Sequence, residues 1–84
     1  MATVIMYSTA FCPYCVKARA LLDSKNISYQ DIRVDEEPSK RDEMISKSGR
    51  RTVPQIFINN HPIGGYDDLY ALNSNHELDN LLRK

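Results

Sequence analysis

The sequence predicts an α/β fold: a four-stranded mixed sheet, made of a βαβ unit followed by a β-hairpin and flanked by helices. Three observations carry this expectation. The near-continuous apolar run "TVIMYS" has the pattern of a central strand buried on both faces. Helical and strand patterns then alternate, and a right-handed crossover makes the first two strands parallel. Finally, "QIFI" and "HPIG" are separated only by Asn59-Asn60, a pair that tolerates positive φ in a hairpin turn. Eighty-four residues provide for one domain, residues 1–84.

After the first strand, Cys15, Ala18, Leu21 and Leu22 recur at helical spacing in "CPYCVKARALLDSKN". Pro13 suits a first helical position and Asn26 a stop. "ISYQDIRV" alternates as a second strand. "EPSKRDEMISKSG" opens with Pro38, ends at Gly49 and places Met44 and Ile45 on an apolar face, so it reads as a second helix. Pro62 marks the last strand as an edge, because proline has no N–H to donate to a ladder. "GGYDDLYAL" and "NHELDNLLRK" read as helical. Asp67 and Asp68 fall in a first turn and Arg83 and Lys84 in a last turn, each where the helix dipole favours its charge.

Eleven Lys and Arg balance eleven Asp and Glu. No general electrostatic attraction to nucleic acid or to an anionic membrane is expected. "MATVIMYSTAF" lacks a basic start, and Thr3, Tyr7, Ser8 and Thr9 interrupt its apolar run, so neither a signal peptide nor a transmembrane helix is expected. A soluble, cytoplasmic chain is the expectation.

The two cysteines, Cys12 and Cys15, are two residues apart. As a structural clasp they would close a very short loop, worth ~2 kcal/mol against ~4.7 for a hundred-residue loop. Structural zinc needs four ligands. The two histidines, His61 and His76, do not have the spacing of a zinc-binding pair, and no metal site is expected. Haem attachment would need His after Cys15, where Val16 stands. A redox pair is the reading that the context favours. C-x-x-C spacing suits a reducing compartment, and it follows a buried strand and opens a helix. Cys12 precedes Pro13, at the N-cap, where free backbone N–H groups and the positive end of the helix dipole favour a thiolate. Cys15 lies one turn in, nearer the core. Cys12 is therefore expected to attack a disulfide and Cys15 to resolve the resulting mixed disulfide.

Two further motifs accompany the cysteines: "TVPQIFI" about forty residues on, and "IGGYDDL" after the hairpin. With "CPYC", in this order and spacing, the sequence resembles the glutaredoxin family over essentially its whole length, most of all the small bacterial dithiol members. The resemblance implies a thioredoxin fold. It implies glutathione-dependent reduction of protein disulfides and of glutathione mixed disulfides, with glutathione as electron-donating co-substrate and no bound cofactor. It further implies that Tyr14 flanks the glutathione sulfur. Thr52, Val53 and Pro54 would form a loop with a cis Val53–Pro54 bond, in which the Val53 backbone pairs with the cysteinyl part of glutathione. Gly65, Tyr66, Asp67 and Asp68 would hold its γ-glutamyl end, and Arg41 would lie near its glycyl carboxylate. The implied partners are glutathione and disulfide-bearing or glutathionylated proteins, met by a monomer.

The sequence departs from the family pattern twice. Thr9 stands where many relatives have a lysine, three residues before the nucleophile, and Lys17 and Arg19 are the nearest remaining cations. Tyr66 stands where many have a third cysteine. The alternative function is a glutathione-ligated iron–sulfur cluster carrier. Pro13 and Cys15 argue against it, because such carriers mostly replace the active-site proline or keep one active cysteine. Colour after anaerobic purification separates the two functions.

Overall fold

A computed structural model describes residues 2–83. The chain order is β1 (Val4–Ser8), α1 (Pro13–Ser24), β2 (Gln30–Arg33), α2 (Pro38–Ser48), β3 (Gln55–Ile58), β4 (His61–Gly64), α3 (Tyr66–Ser74) and α4 (Glu77–Leu82). The sheet order is β2-β1-β3-β4. β1 is parallel to β2 and antiparallel to β3, and β3 is antiparallel to β4. This is the expected βαβ unit plus hairpin.

The apolar continuity of β1 follows from its central place. Val4 and Met6 face one way and join Ala18, Leu22, Ile56, Ile58, Leu69, Leu78 and Leu82 in a core between the sheet and α1, α3 and α4. Tyr7 faces the other way and packs with Val34, Met44 and Phe57 under α2. Side chains alternate across a strand, so both faces of β1 and β3 demand apolar residues. The Tyr7 and Phe57 rings meet edge to face, with centroids 5.6 Å apart.

The turns obey the residues that form them. Asn59 and Asn60 take φ of 52° and 67°, the two positive values that a tight hairpin between right-twisted strands needs. Asn26 takes φ of 55° just past α1, and Gly49 closes α2 at φ 74° with its N–H on the Ile45 carbonyl at 2.8 Å. β2 is shorter than the expected 27–34. Asn26 turns the chain, the Ile27 N–H reaches back to the Leu22 carbonyl at 3.4 Å, and pairing with β1 begins at Gln30. Gly64 ends β4 and Gly65 caps α3, so that helix begins at Tyr66 rather than at the glycines. α4 begins at Glu77, after His76 at φ 63°, and Arg83 is its C-cap. Lys84, expected in its last turn, lies outside the described residues. Among the described residues no helix is long and apolar enough to cross a membrane.

Tyr7 also ties β1 to α2: its hydroxyl donates to Glu43 Oε2 at 2.6 Å. Burial, then this hydrogen bond, pushes the phenol from 10.0 up to about 12. A group whose folded pKa is raised contributes stability that is whole below its unfolded pKa and is lost as pH rises through the folded one. Tyr7 should therefore destabilise the fold progressively between pH 10 and about 12. Urea midpoints measured across that window should fall less steeply for Tyr7→Phe than for the parent. Equal slopes would assign the alkaline loss to other groups.

Candidate active site

The two cysteines sit where β1 hands over to α1. Cys12 is the N-cap residue, extended at φ −85° and ψ 117°, and Pro13 follows at the first helical position. A helix N-terminus leaves N–H groups without intrahelical partners. One of them, the Cys15 N–H, donates to Cys12 Sγ at 3.4 Å. On its other side the Cys12 thiol donates to the Val53 carbonyl at 3.7 Å. Cys12 is half-buried, whereas Cys15 is fully buried. Burial pushes the Cys15 thiol up to about 11. The outer sulfur is thus the accessible one, and the inner sulfur is held protonated until chemistry demands otherwise.

The loop opposite Cys12 is shaped by its own residues. The Val53–Pro54 peptide bond is cis, as the family resemblance implies. Gln55, buried at the start of β3, anchors the loop by donating from its amide to the Thr52 carbonyl at 2.9 Å and the Thr52 hydroxyl at 3.2 Å. A polar residue opening an otherwise apolar buried strand was the sequence signal for this strut. The carbonyl of Pro54 lies 3.4 Å from where a Cβ on Gly65 would stand, so the loop and the start of α3 approach closely.

Between loop and helix runs an open groove of about 300 Å³, lined by Tyr14, Arg50, Thr52, Val53, Pro54, Gly65, Tyr66, Asp67 and Asp68. The fold therefore brings together every binding residue expected from the sequence except Arg41. Arg41 is exposed and donates to the Arg51 carbonyl at 3.4 Å, and it is not among the lining residues. Arg50, not singled out in the sequence, lies in the groove instead and pairs with Asp68 at 3.1 Å. Nothing in a run of two arginines tells which one the turn after α2 aims inward. Asp68 also accepts from the Gly65 N–H at 3.0 Å, the reach-back half of a capping box. Asp67 is exposed and takes part in neither contact.

The two nearest cations part company. Lys17 Nζ lies 5.5 Å from the Tyr14 ring centroid and 5.9 Å from that of Tyr66, over an aromatic pair at the groove's edge. Arg19 turns toward the β1–α1 loop, where its guanidinium reaches Ser8, Thr9 and Asp31.

A C-x-x-C pair at a helix N-terminus, facing a cis-proline loop on a four-stranded sheet, defines a thiol–disulfide oxidoreductase with the thioredoxin fold. Comparison with known proteins narrows the class. The glutaredoxin family model matches residues 4–63. The chain is 54% identical over 83 residues to glutaredoxin 3 of Escherichia coli K12, covering 99% of this chain and all of that one. Among solved structures, glutaredoxin from Brucella melitensis superposes with a TM-score of 0.85 at 48% identity, covering 98% of this chain and 89% of that one. A buckwheat glutaredoxin–glutathione complex superposes with a TM-score of 0.90 at 28% identity, covering 98% and 77%. The chain belongs to the glutaredoxin family, the glutathione-dependent thiol–disulfide oxidoreductases.

Proposed function

We propose that this protein reduces protein disulfides and glutathione mixed disulfides through Cys12-Pro13-Tyr14-Cys15, drawing electrons from glutathione. It acts as a single-domain, cytoplasmic monomer. The observation that carries the reading is the pairing of an accessible, amide-contacted Cys12 with a buried Cys15 one turn beneath it. The Cys12 thiolate attacks a substrate disulfide, and one half leaves as a thiol. The mixed disulfide on Cys12 is then resolved by a second glutathione or by Cys15.

The groove has the chemistry to seat glutathione. The loop backbone beside Cys12 offers Val53 N–H and C=O groups to the cysteinyl unit, in the manner of an added strand. Tyr14 covers the sulfur. The N-terminus of α3 offers N–H groups to the γ-glutamyl carboxylate, and an aspartate there receives its ammonium. Arg50 adds a cation close to the same end, while Arg41 is the outer candidate for the glycyl carboxylate. The buckwheat relative solved as a glutathione complex supports the same occupant.

A coupled assay with a glutathionylated substrate, glutathione, glutathione reductase and NADPH tests the proposal. NADPH consumption no faster than with glutathione alone would overturn it.

The two aspartates should separate in such an assay. Asp68 already serves the Gly65 N–H and Arg50. Asp68→Asn keeps an acceptor for the cap and loses a half-exposed ion pair worth ~0.2–1 kcal/mol. Asp67 is free to meet an ammonium. Asp67→Asn removes a charge-assisted contact of roughly 1.5–3 kcal/mol, so KM for glutathione should rise about tenfold or more. Its Tm should stay close to the parent's. If Asp67→Asn binds glutathione like the parent, Asp67 is a helix-start residue only.

A further inference from the structure

We infer that Arg19 is a positioning residue for Cys15: with Ser8 and Asp31 it fixes the β1–α1 loop against the buried sulfur and supplies the positive charge that this sulfur needs when it becomes anionic. The inference rests on the dithiol reading above.

The geometry is specific. Arg19 lies four residues after Cys15 on α1, and residues at that spacing are neighbours on one helix face. Its guanidinium makes three contacts. Nε donates to Asp31 Oδ2 at 2.7 Å, and Nη2 donates to Ser8 Oγ at 2.8 Å and to the Thr9 carbonyl at 3.2 Å. The Ser8 hydroxyl, fully buried, donates in turn to the other Asp31 carboxylate oxygen. Asp31 and Ser8 belong to paired strands β2 and β1, and Arg19 crosses from the helix to both. The planar fork of arginine suits such a three-way contact, because its donors are held in fixed directions toward the three acceptors. A Thr9 backbone group hydrogen-bonds Cys15 in the sense that favours its thiolate, and the Arg19 charge acts in the same sense. The Cys12 sulfur opposes both. Thr9 has no charge of its own, so Arg19 is the cation of this loop.

Cys15 carries negative charge in two steps. In one, the Cys15 thiolate attacks Cys12 Sγ in a mixed disulfide. The Cys12–Cys15 bond forms, the bond to the substrate breaks, and the substrate sulfur leaves with the electron pair and takes a proton from solvent. In the other, a glutathione thiolate attacks Cys12 Sγ of the internal disulfide. A Cys12–glutathione bond forms, the Cys12–Cys15 bond breaks, and Cys15 leaves with the electron pair and is then protonated. Attack needs the thiolate fraction, and a leaving thiol of lower pKa leaves faster. A buried sulfur pushed up to about 11 is poor on both counts unless a fixed charge and a fixed loop assist it.

The test is a double-mutant cycle. Arg19→Met is made in the parent and in Cys15→Ser, and reduction of a protein disulfide and of a glutathionylated substrate is timed for each. The expected result is a three- to tenfold slowing of protein-disulfide reduction in the parent background. No comparable slowing of the glutathione mixed-disulfide reaction should appear where Cys15 is absent. A purely structural strut would lower both rates together, and that result overturns the inference. A second measurement, Cys15 thiolate absorbance in Cys12→Ser, needs no turnover and so stands even if the dithiol reading fails. There Arg19→Met should lower the acid constant of Cys15 about threefold or more, and an unchanged titration overturns the inference. Arg19→Gln, which removes the charge but keeps an amide that can still reach Ser8 and the Thr9 carbonyl, carries the same tests should Arg19→Met fail to fold.

Discussion

Cys12→Ser should abolish reduction of every disulfide substrate, whereas Cys15→Ser should remove most of the activity on only one kind. The asymmetry follows from where the helix puts each sulfur. Cys12 is the less buried of the two, and its sulfur accepts an N–H from the first turn of α1. Serine in its place offers a hydroxyl that is not ionised at neutral pH, so no covalent intermediate forms. Cys15 has no solvent-accessible surface and is pushed up to about 11 by burial, so it meets only what is already bonded to Cys12. When the intermediate is a Cys12–glutathione disulfide, free glutathione resolves it, and Cys15→Ser should retain most activity. When the intermediate is Cys12 bonded to a protein, Cys15 competes as a tethered thiol. Its effective concentration far exceeds millimolar glutathione, so its loss should slow protein-disulfide reduction at least about a hundredfold. Equal losses from both substitutions on a glutathionylated substrate would refute this division of labour.

Gly64→Ala should be among the most destabilising single-methyl changes in the chain. Gly64 sits at φ 115°, between β4 and the start of α3. A non-glycine residue held in such a region costs about 1–3 kcal/mol. The methyl would also collide with the Asp68 carboxylate, which caps the Gly65 N–H and pairs with Arg50. Displacing that carboxylate forfeits a further ~0.5–1.5 kcal/mol of hydrogen bonding. A total near 2–4 kcal/mol lowers Tm by at least about 8 °C in a domain of this size. Gly49→Ala is the control. Gly49 also has positive φ, at 74°, but nothing lies within 4 Å of its would-be Cβ. It should cost only the ~1 kcal/mol of left-handed backbone. Thermal unfolding followed by circular dichroism compares the two. A Gly64→Ala protein as stable as Gly49→Ala would mean that Asp68 relaxes without loss.

The element order, the hairpin and the placement of two cysteines at a helix start were legible in the sequence by itself, because each rests on a local rule. Two asparagines between two short strand runs make a tight turn, and a proline after Cys12 sets a helix start. A run apolar at both parities, as in Val4–Tyr7, suits a strand covered on both sides. The cis bond at Pro54 and the roles drawn along the groove came from motif resemblance, since no local rule separates a cis from a trans proline there.

The tertiary structure alone decided which charges meet. Arg41 and Arg50 look alike in a sequence, yet the turn after α2 aims Arg50 into the groove and leaves Arg41 on the Arg51 carbonyl outside it. Lys17 and Arg19 are near neighbours in the chain, yet Lys17 lies over Tyr14 and Tyr66 while Arg19 reaches Asp31, twelve residues away. The physical reason is range. Turn and helix-start preferences are settled within about four residues by backbone sterics and local hydrogen bonds. A long cationic side chain is placed by whatever acceptors the packed strands and helices bring within its reach, and those come from elements that meet only once the sheet has formed.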